Sequence, residues 1–292
     1  MYRADVISRI VLILVCCCLA AGCGAAGGAG GKRTVVASFY PLAFAAQQVG
    51  DSSVKVENLT PSGAEPHDLE LTPQAVARIV KADVVLYLSH GFQPAVSDAV
   101  RQTSGRAVDV LAELPLHGAH GQEAGLTADP HVWLDPPLFE RIVERIGSVL
   151  HRPAAVEALV AKVRALDRDY RRGLAHCVRR DIVTSHAAFA YLAQRYGLHQ
   201  VPITGLTPES EPSPKQLAHV VRLVRSTHAT TVFFERLLSP RLADTVAREV
   251  GAQTAVLDPI EGLTPSEQKR GENYLTLMRE NLAALRKALG CR

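Results

Sequence analysis

The sequence predicts an α/β protein of two lobes, each built on a roughly four-stranded parallel sheet flanked by helices, with one long rigid helix joining them. Three observations carry that expectation. Short β-branched or apolar runs recur in two series, each run followed by helical periodicity, and such alternation buries parallel strands beneath helices. A single long helical stretch separates the two series. The chain has 292 residues and is 47% hydrophobic, enough for a large core in one or two globular units.

In chain order, Arg3 and Arg9 precede an apolar run from Ile10 to Ala21. That run falls short of the roughly 20 residues a membrane-spanning helix needs, so residues 1–22 read as a signal peptide. Leu19-Ala20-Ala21-Gly22-Cys23 resembles a bacterial lipobox, with its Leu one place early. It predicts an extracytoplasmic protein anchored to the cell membrane by a lipid on Cys23; an ordinary cleaved signal peptide is the alternative. Gly24 to Gly31 (GAAGGAGG) cannot build a core, so residues 23–33 read as the anchor and a flexible tether.

Residues 34–150 form the expected N-terminal lobe, with strand-like runs at Thr34–Ser38, Val54–Leu59, Asp83–Leu88 and Arg106–Val110 and an amphipathic helix at Pro137–Leu150. Residues 151–178 are the expected linking helix. Within them Pro153 to Cys177 starts with Pro at a first-turn position and places Val156, Leu159, Val160, Val163 and Leu166 at helical spacing. At about 1.5 Å per residue this stretch reaches roughly 35 Å, a strut rather than a hinge. Residues 179–292 repeat the strand series at Asp181–Thr184, His199–Thr204, Thr230–Glu235 and Gln253–Leu257. A helix over Ala187–Tyr196 stops at Gly197, and a last one covers Glu272–Leu289 and ends near Gly290.

Of six cysteines, Cys16, Cys17 and Cys18 fall in the leader and Cys23 at the lipobox, which leaves Cys177 and Cys291. In an exported protein such a pair favours a disulfide, worth roughly 4 kcal/mol by loop-closure entropy; two free buried thiols are the alternative. Formal net charge is only +3, and part of it lies in the leader, so no nucleic-acid partner is indicated.

Eleven histidines are present, and three occupy settings that expose a side chain beyond a strand or in a Pro-bounded loop. His67 lies in PSGAEPHDLE after the second run, and His131 lies in DPHVWLDP beside the only Trp. His186 follows Asp181–Ser185, beyond the carboxyl end of a parallel strand, where open α/β sheets bind ligands. Asp258 has the same setting before Pro259. Three imidazoles and a carboxylate, two from each half, make a shell suited to a tetrahedral divalent ion, zinc above the hard cations. HExxH is absent.

The strings PSGAEPHDLELTP, ADPHVWLDP, TSHAAFAYLAQRYGL and VLDPIEGL resemble the solute-binding proteins of zinc and manganese ABC importers, from about Thr34 to the C-terminus. The resemblance implies two α/β lobes on one long helix, with His67 and His131 as ligands from the first lobe and His186 and Asp258 from the second. Glu65, or a water, is the alternative fourth ligand. Manganese members tend to place a carboxylate where His186 stands, so the implied cargo is Zn2+, with Mn2+ or iron as the alternative. It further implies a monomeric carrier, not an enzyme, that captures a divalent metal and delivers it to an ABC-transporter permease in the membrane. A metal-dependent adhesin on the same fold is a competing reading. A zinc hydrolase with Glu65 as general base is another, from a different class. Zinc members often carry a long His-rich loop, whereas Leu116 to Thr127 holds only His117 and His120, leaving metal gathering and a plain solvated loop both open. His90, His151, His176, His199, His219 and His228 have no motif, and Glu209 and Glu211 are loop charges or line the cleft mouth.

Overall fold

A computed structural model describes residues 32–119, 125–208 and 212–292. The leader, Cys23, most of the tether, His120, Glu209 and Glu211 lie outside the described residues.

The first strand series forms β1 (Arg33–Ala37), β2 (Val54–Asn58), β3 (Val84–Tyr87) and β4 (Arg106–Asp109), all parallel in the order β2-β1-β3-β4. The second forms β5 (Asp181–Thr184), β6 (His199–Pro202), β7 (Thr231–Phe234) and β8 (Gln253–Val256), in the equivalent order β6-β5-β7-β8. Period-two alternation gives the inner strands β1, β3, β5 and β7 two buried faces. Val35, Ala37, Val84 and Leu86 join one apolar cluster while Val36 and Val85 join another. In the second sheet Ile182 and Phe233 enter that same first cluster, and Val183 and Val232 enter a third. Strands buried on both sides read as continuous apolar runs, which is why they were legible in the sequence.

Helices cover these faces. Following β1 comes α1 (Tyr40–Gly50), then α2 (Pro73–Lys81), α3 (Pro94–Val100), α4 (Pro136–Leu150) and α5 (Pro153–Gly173). The second half adds α6 (Ala190–Tyr196), α7 (Pro214–Thr227), α8 (Arg241–Val250), α9 (Pro265–Arg270) and α10 (Tyr274–Leu289). The shared first cluster takes Leu159, Val163, Leu166 and Tyr170 from α5 and Leu277, Met278 and Leu285 from α10, so the long helix packs with residues of both sheets. Tyr170 donates its hydroxyl to the Met278 carbonyl at 2.7 Å, tying α5 to α10 inside that core.

Three expected helix ends move. The long helix stops at Gly173 rather than Cys177, because the Arg180 guanidinium donates to the Leu174 and Ala175 carbonyls at 2.8 and 2.9 Å and Cys177 leaves to form a disulfide with Cys291. The helix after His186 begins at Ala190, since the His186 carbonyl accepts from Thr184 Oγ1 and Gln200 Nε2 and Ala187 N–H donates to Gly205 O instead of starting a turn. The last helix begins at Tyr274, where Asn273 caps the Leu275 and Thr276 amides. His151 and His228, unassigned from sequence, are left-handed C-caps of α4 and α7, with φ of 59° and 53°. No described helix is long and apolar enough to cross a membrane.

Candidate metal centre

Four loops beyond strand ends bring four side chains together. His67 is in the β2–α2 loop, His131 opens the short 3₁₀ turn Val132–Leu134 before α4, His186 follows β5, and Glu261 follows β8. All lie past the carboxyl ends of parallel strands, where the sheet edge leaves a crevice. The His67 loop is held from two directions. Gln93 Nε2 donates to Pro66 O at 3.1 Å, while Ser62 Oγ and the Gly63 amide donate to Leu263 O at 2.7 and 2.9 Å.

One ligand atom from each of the four residues lies within 4.8 Å of all the others. Glu261 Oε1 is 3.3 Å from His67 Nε2, 3.1 Å from His131 Nε2 and 3.8 Å from His186 Nε2. His131 Nε2 and His186 Nε2 are 3.3 Å apart. Zinc bonds of about 2.0–2.1 Å put tetrahedral donors about 3.3–3.4 Å from one another, so these spacings are those of a shell around one small cation.

The outer atoms of the imidazoles are also assigned. His131 Nδ1 pairs with Asp129 Oδ1 at 2.7 Å, and His186 Nδ1 pairs with Glu235 Oε1 at 2.6 Å. Donation from Nδ1 to these carboxylates fixes each ring with its Nε2 facing inward, ready to ligate once it carries no proton. Around this point Glu235 Oε2 and Glu261 Oε2 are buried without a hydrogen-bond partner. Buried anionic oxygens left unpaired are costly, and a cation relieves that cost. The donors present therefore fit a divalent metal.

Electrostatics agree in sign. Burial holds the His67 imidazole below the usual histidine range, against the pull of Glu261. Burial also disfavours protonation of His131, but the charges and hydrogen bonds of Asp129 and Glu261 outweigh it and push the ring up to about 9. Glu261 is held well below the usual carboxylate range, because the three histidines outweigh its burial. Glu65 goes the other way: burial, then repulsion from Glu261, pushes its carboxyl up to about 10, so it is neutral at pH 7 before a cation arrives.

Among the residues expected from sequence, His67, His131 and His186 are brought together. Asp258 is not, and this corrects its place in the geometry. Its Oδ1 accepts the Ile260 amide at 2.7 Å and its Oδ2 faces Arg236 at 3.3 Å, so both oxygens are engaged away from the histidines. Glu65 stands beside the group, its Oε1 accepting the His67 amide at 3.2 Å. Glu261 was passed over although it belongs to the same VLDPIEGL string. The available signal was the Asp-Pro pair itself, since an Asp in that position hydrogen-bonds its own backbone two residues on and is spent there. His117 is occupied in a parallel stack on Tyr191, with ring centres 4.0 Å apart, and His90 pairs with Thr127 Oγ1 at 2.8 Å.

Comparison with known proteins places this geometry. A family model described as zinc-uptake complex component A, periplasmic, matches residues 35–288. The chain is similar to the high-affinity zinc uptake system protein ZnuA of Bacillus subtilis, 36% identical over 280 residues, covering 88% of each. It is 35% identical over 279 residues to the zinc-binding lipoprotein AdcA of Streptococcus pneumoniae, covering 87% of this chain but 55% of AdcA, so it spans about half the length of that relative. The crystal structure of the Zn(II)-bound ZnuA-like domain of that AdcA superposes with a TM-score of 0.74 at 34% identity, covering 89% of this chain and 99% of the domain. With most of its length matched, and a convergent His3Glu cluster where two parallel sheets present their strand ends, the chain belongs to the zinc-uptake complex component A periplasmic family.

Proposed function

We propose that this protein is an extracytoplasmic carrier that captures Zn2+ through His67, His131, His186 and Glu261 and hands it to an ABC-transporter permease. The observation that carries the reading is the spacing of those four donors, drawn from loops after β2, β4, β5 and β8. Three imidazoles with one carboxylate suit zinc better than the harder Mn2+. A shell closed by four protein donors suits cargo; catalytic zinc keeps a position open, and Glu65, neutral at pH 7, is a poor general base, so the protein acts as a carrier and not an enzyme. The lipobox resemblance at Cys23 supports anchoring in the membrane.

Metal analysis of the purified mature protein, followed by competition titration of zinc against manganese on wild type and His186→Ala, tests the reading. The expected result is one zinc per chain, preference for zinc, and a loss on the order of 100-fold in the variant. Preference for manganese, or zinc affinity indifferent to His186, would sink it.

A further inference from the structure

Asp258 is the expected ligand that the fold sends elsewhere, and its contacts say what it does there. Its backbone is gripped by Asn281, whose Oδ1 accepts from Asp258 N at 2.9 Å and whose Nδ2 donates to Asp258 O at 2.6 Å. Asn281 lies on α10, so the end of β8 is fixed against that helix. The Arg236 guanidinium that faces Asp258 Oδ2 at 3.3 Å also reaches Glu267 at 2.8 Å and Glu280 at 2.7 Å. One cation thereby ties the strand end to α9 and α10.

Ile260 is the residue these contacts constrain. It has φ of 59° and is fully buried. A β-branched residue adopts the left-handed region only where its surroundings impose it. The 2.7 Å bond from Ile260 N to Asp258 Oδ1 fixes the peptide unit from which that turn departs. Glu261 is the next residue, so the direction its carboxylate takes depends on this turn. Two residues further on, Leu263 O receives Ser62 and Gly63 from the His67 loop. Release of Ile260 to an ordinary φ would redirect the chain at the next residue and carry Glu261 away from the histidines, while the Leu263 carbonyl keeps its own two donors from the His67 loop.

We infer that Asp258 is a positioning residue that holds Ile260 in the left-handed turn aiming Glu261 at the metal, with Arg236 fixing the carboxylate that does so. The inference rests on the carrier reading above. Asp258 contributes by pre-organising a donor, so its effect on metal passes through Glu261 alone.

A double-mutant cycle reads this directly. Zinc affinity by competition, and the visible spectrum of the cobalt-loaded protein, are measured for wild type, Asp258→Ala, Asp258→Asn, Glu261→Ala and the double alanine variant. Glu261→Ala is expected to weaken zinc on the order of 100-fold and Asp258→Ala about tenfold. Asp258→Ala should cost nothing further in the Glu261→Ala background. Asp258→Asn keeps an oxygen for the Ile260 amide and should restore most of the affinity together with the four-coordinate cobalt spectrum. Additive losses in the double variant, or full affinity in Asp258→Ala, would overturn the role. Should Asp258→Ala fail to fold, Arg236→Gln, at a partly buried site, is cycled against Glu261→Ala with the same demand: a smaller loss, present only when Glu261 is present. If Glu261→Ala binds zinc as wild type does, the carrier site itself fails. If Glu261→Ala weakens zinc and Asp258→Ala does not, only the positioning role fails.

Discussion

His131 carries the pH dependence of the site. Asp129 on one nitrogen and Glu261 on the other raise its pKa to about 9, so in the metal-free protein at pH 7 the ring holds both protons. Zinc needs Nε2 unprotonated and must expel that proton. The sign follows: as pH falls below about 9, each unit weakens zinc by up to about tenfold, one proton being displaced per ion. His67, held below the usual range, adds to the competition only at lower pH. Calorimetry at pH 7 in buffers of different ionisation enthalpy should report at least one proton released per zinc. Release of none would mean that His131 is already neutral before the ion arrives or lies outside the shell.

The element most dependent on a covalent tie is α10. Its C-terminus ends at Gly290 with φ of 66°, and the next residue, Cys291, is bonded to Cys177 across a sequence separation of 114. The same junction docks Arg179 N on Leu289 O at 3.0 Å and Arg292 N on His176 O at 3.1 Å. Loss of such a long closed loop typically costs about 2–5 kcal/mol. Cys177 precedes β5 and His186 follows it, so the disulfide and the metal centre lie at opposite ends of one strand. The double variant Cys177→Ser/Cys291→Ser should therefore unfold at lower denaturant concentration, by about that amount, while binding zinc with unchanged affinity. A parallel loss of zinc affinity would mean that the tie shapes the site as well as the fold.

Over the whole molecule, the four proposed ligands join segments far apart in sequence. His67 and His131 come from the half built on β1–β4, and His186 and Glu261 from the half built on β5–β8. The loop bearing His67 rests on Leu263 through the Ser62 and Gly63 donors, so a cation that draws His67 toward Glu261 also tightens that contact. Zinc at 100 times its dissociation constant should stabilise the native state by about 2.7 kcal/mol and raise the melting temperature by roughly 5–10 °C. Hydrogen exchange at Gly63 and its neighbours should slow on zinc loading, as expected if metal selects a closed form for the permease. Identical protection of that loop with and without zinc would reject the switch while leaving binding intact.

Every strand run and the start of the long helix were legible in the sequence, because local periodicity and Pro punctuation act within a few residues and the inner strands, buried on both faces, cannot hide their apolar character. The three histidines were legible for a similar reason, each standing in a short string in a Pro-bounded loop or beyond a strand end. The termini of helices were less so: Arg180 folding back on Leu174 and Ala175, and Gln200 on His186, are contacts between residues whose meeting the local pattern does not encode. The fourth donor lay furthest from sequence reasoning. Asp258 and Glu261 stand in one string with the same charge, and their separation into a buttress and a ligand turns on the φ of Ile260, the reach of Arg236 and the grip of Asn281. The sequence by itself determined the lobes, the strands and the imidazoles; only the tertiary structure decided which carboxylate faces them, because that choice is made by contacts from the loop after β7, from α9 and from α10 closing on one turn.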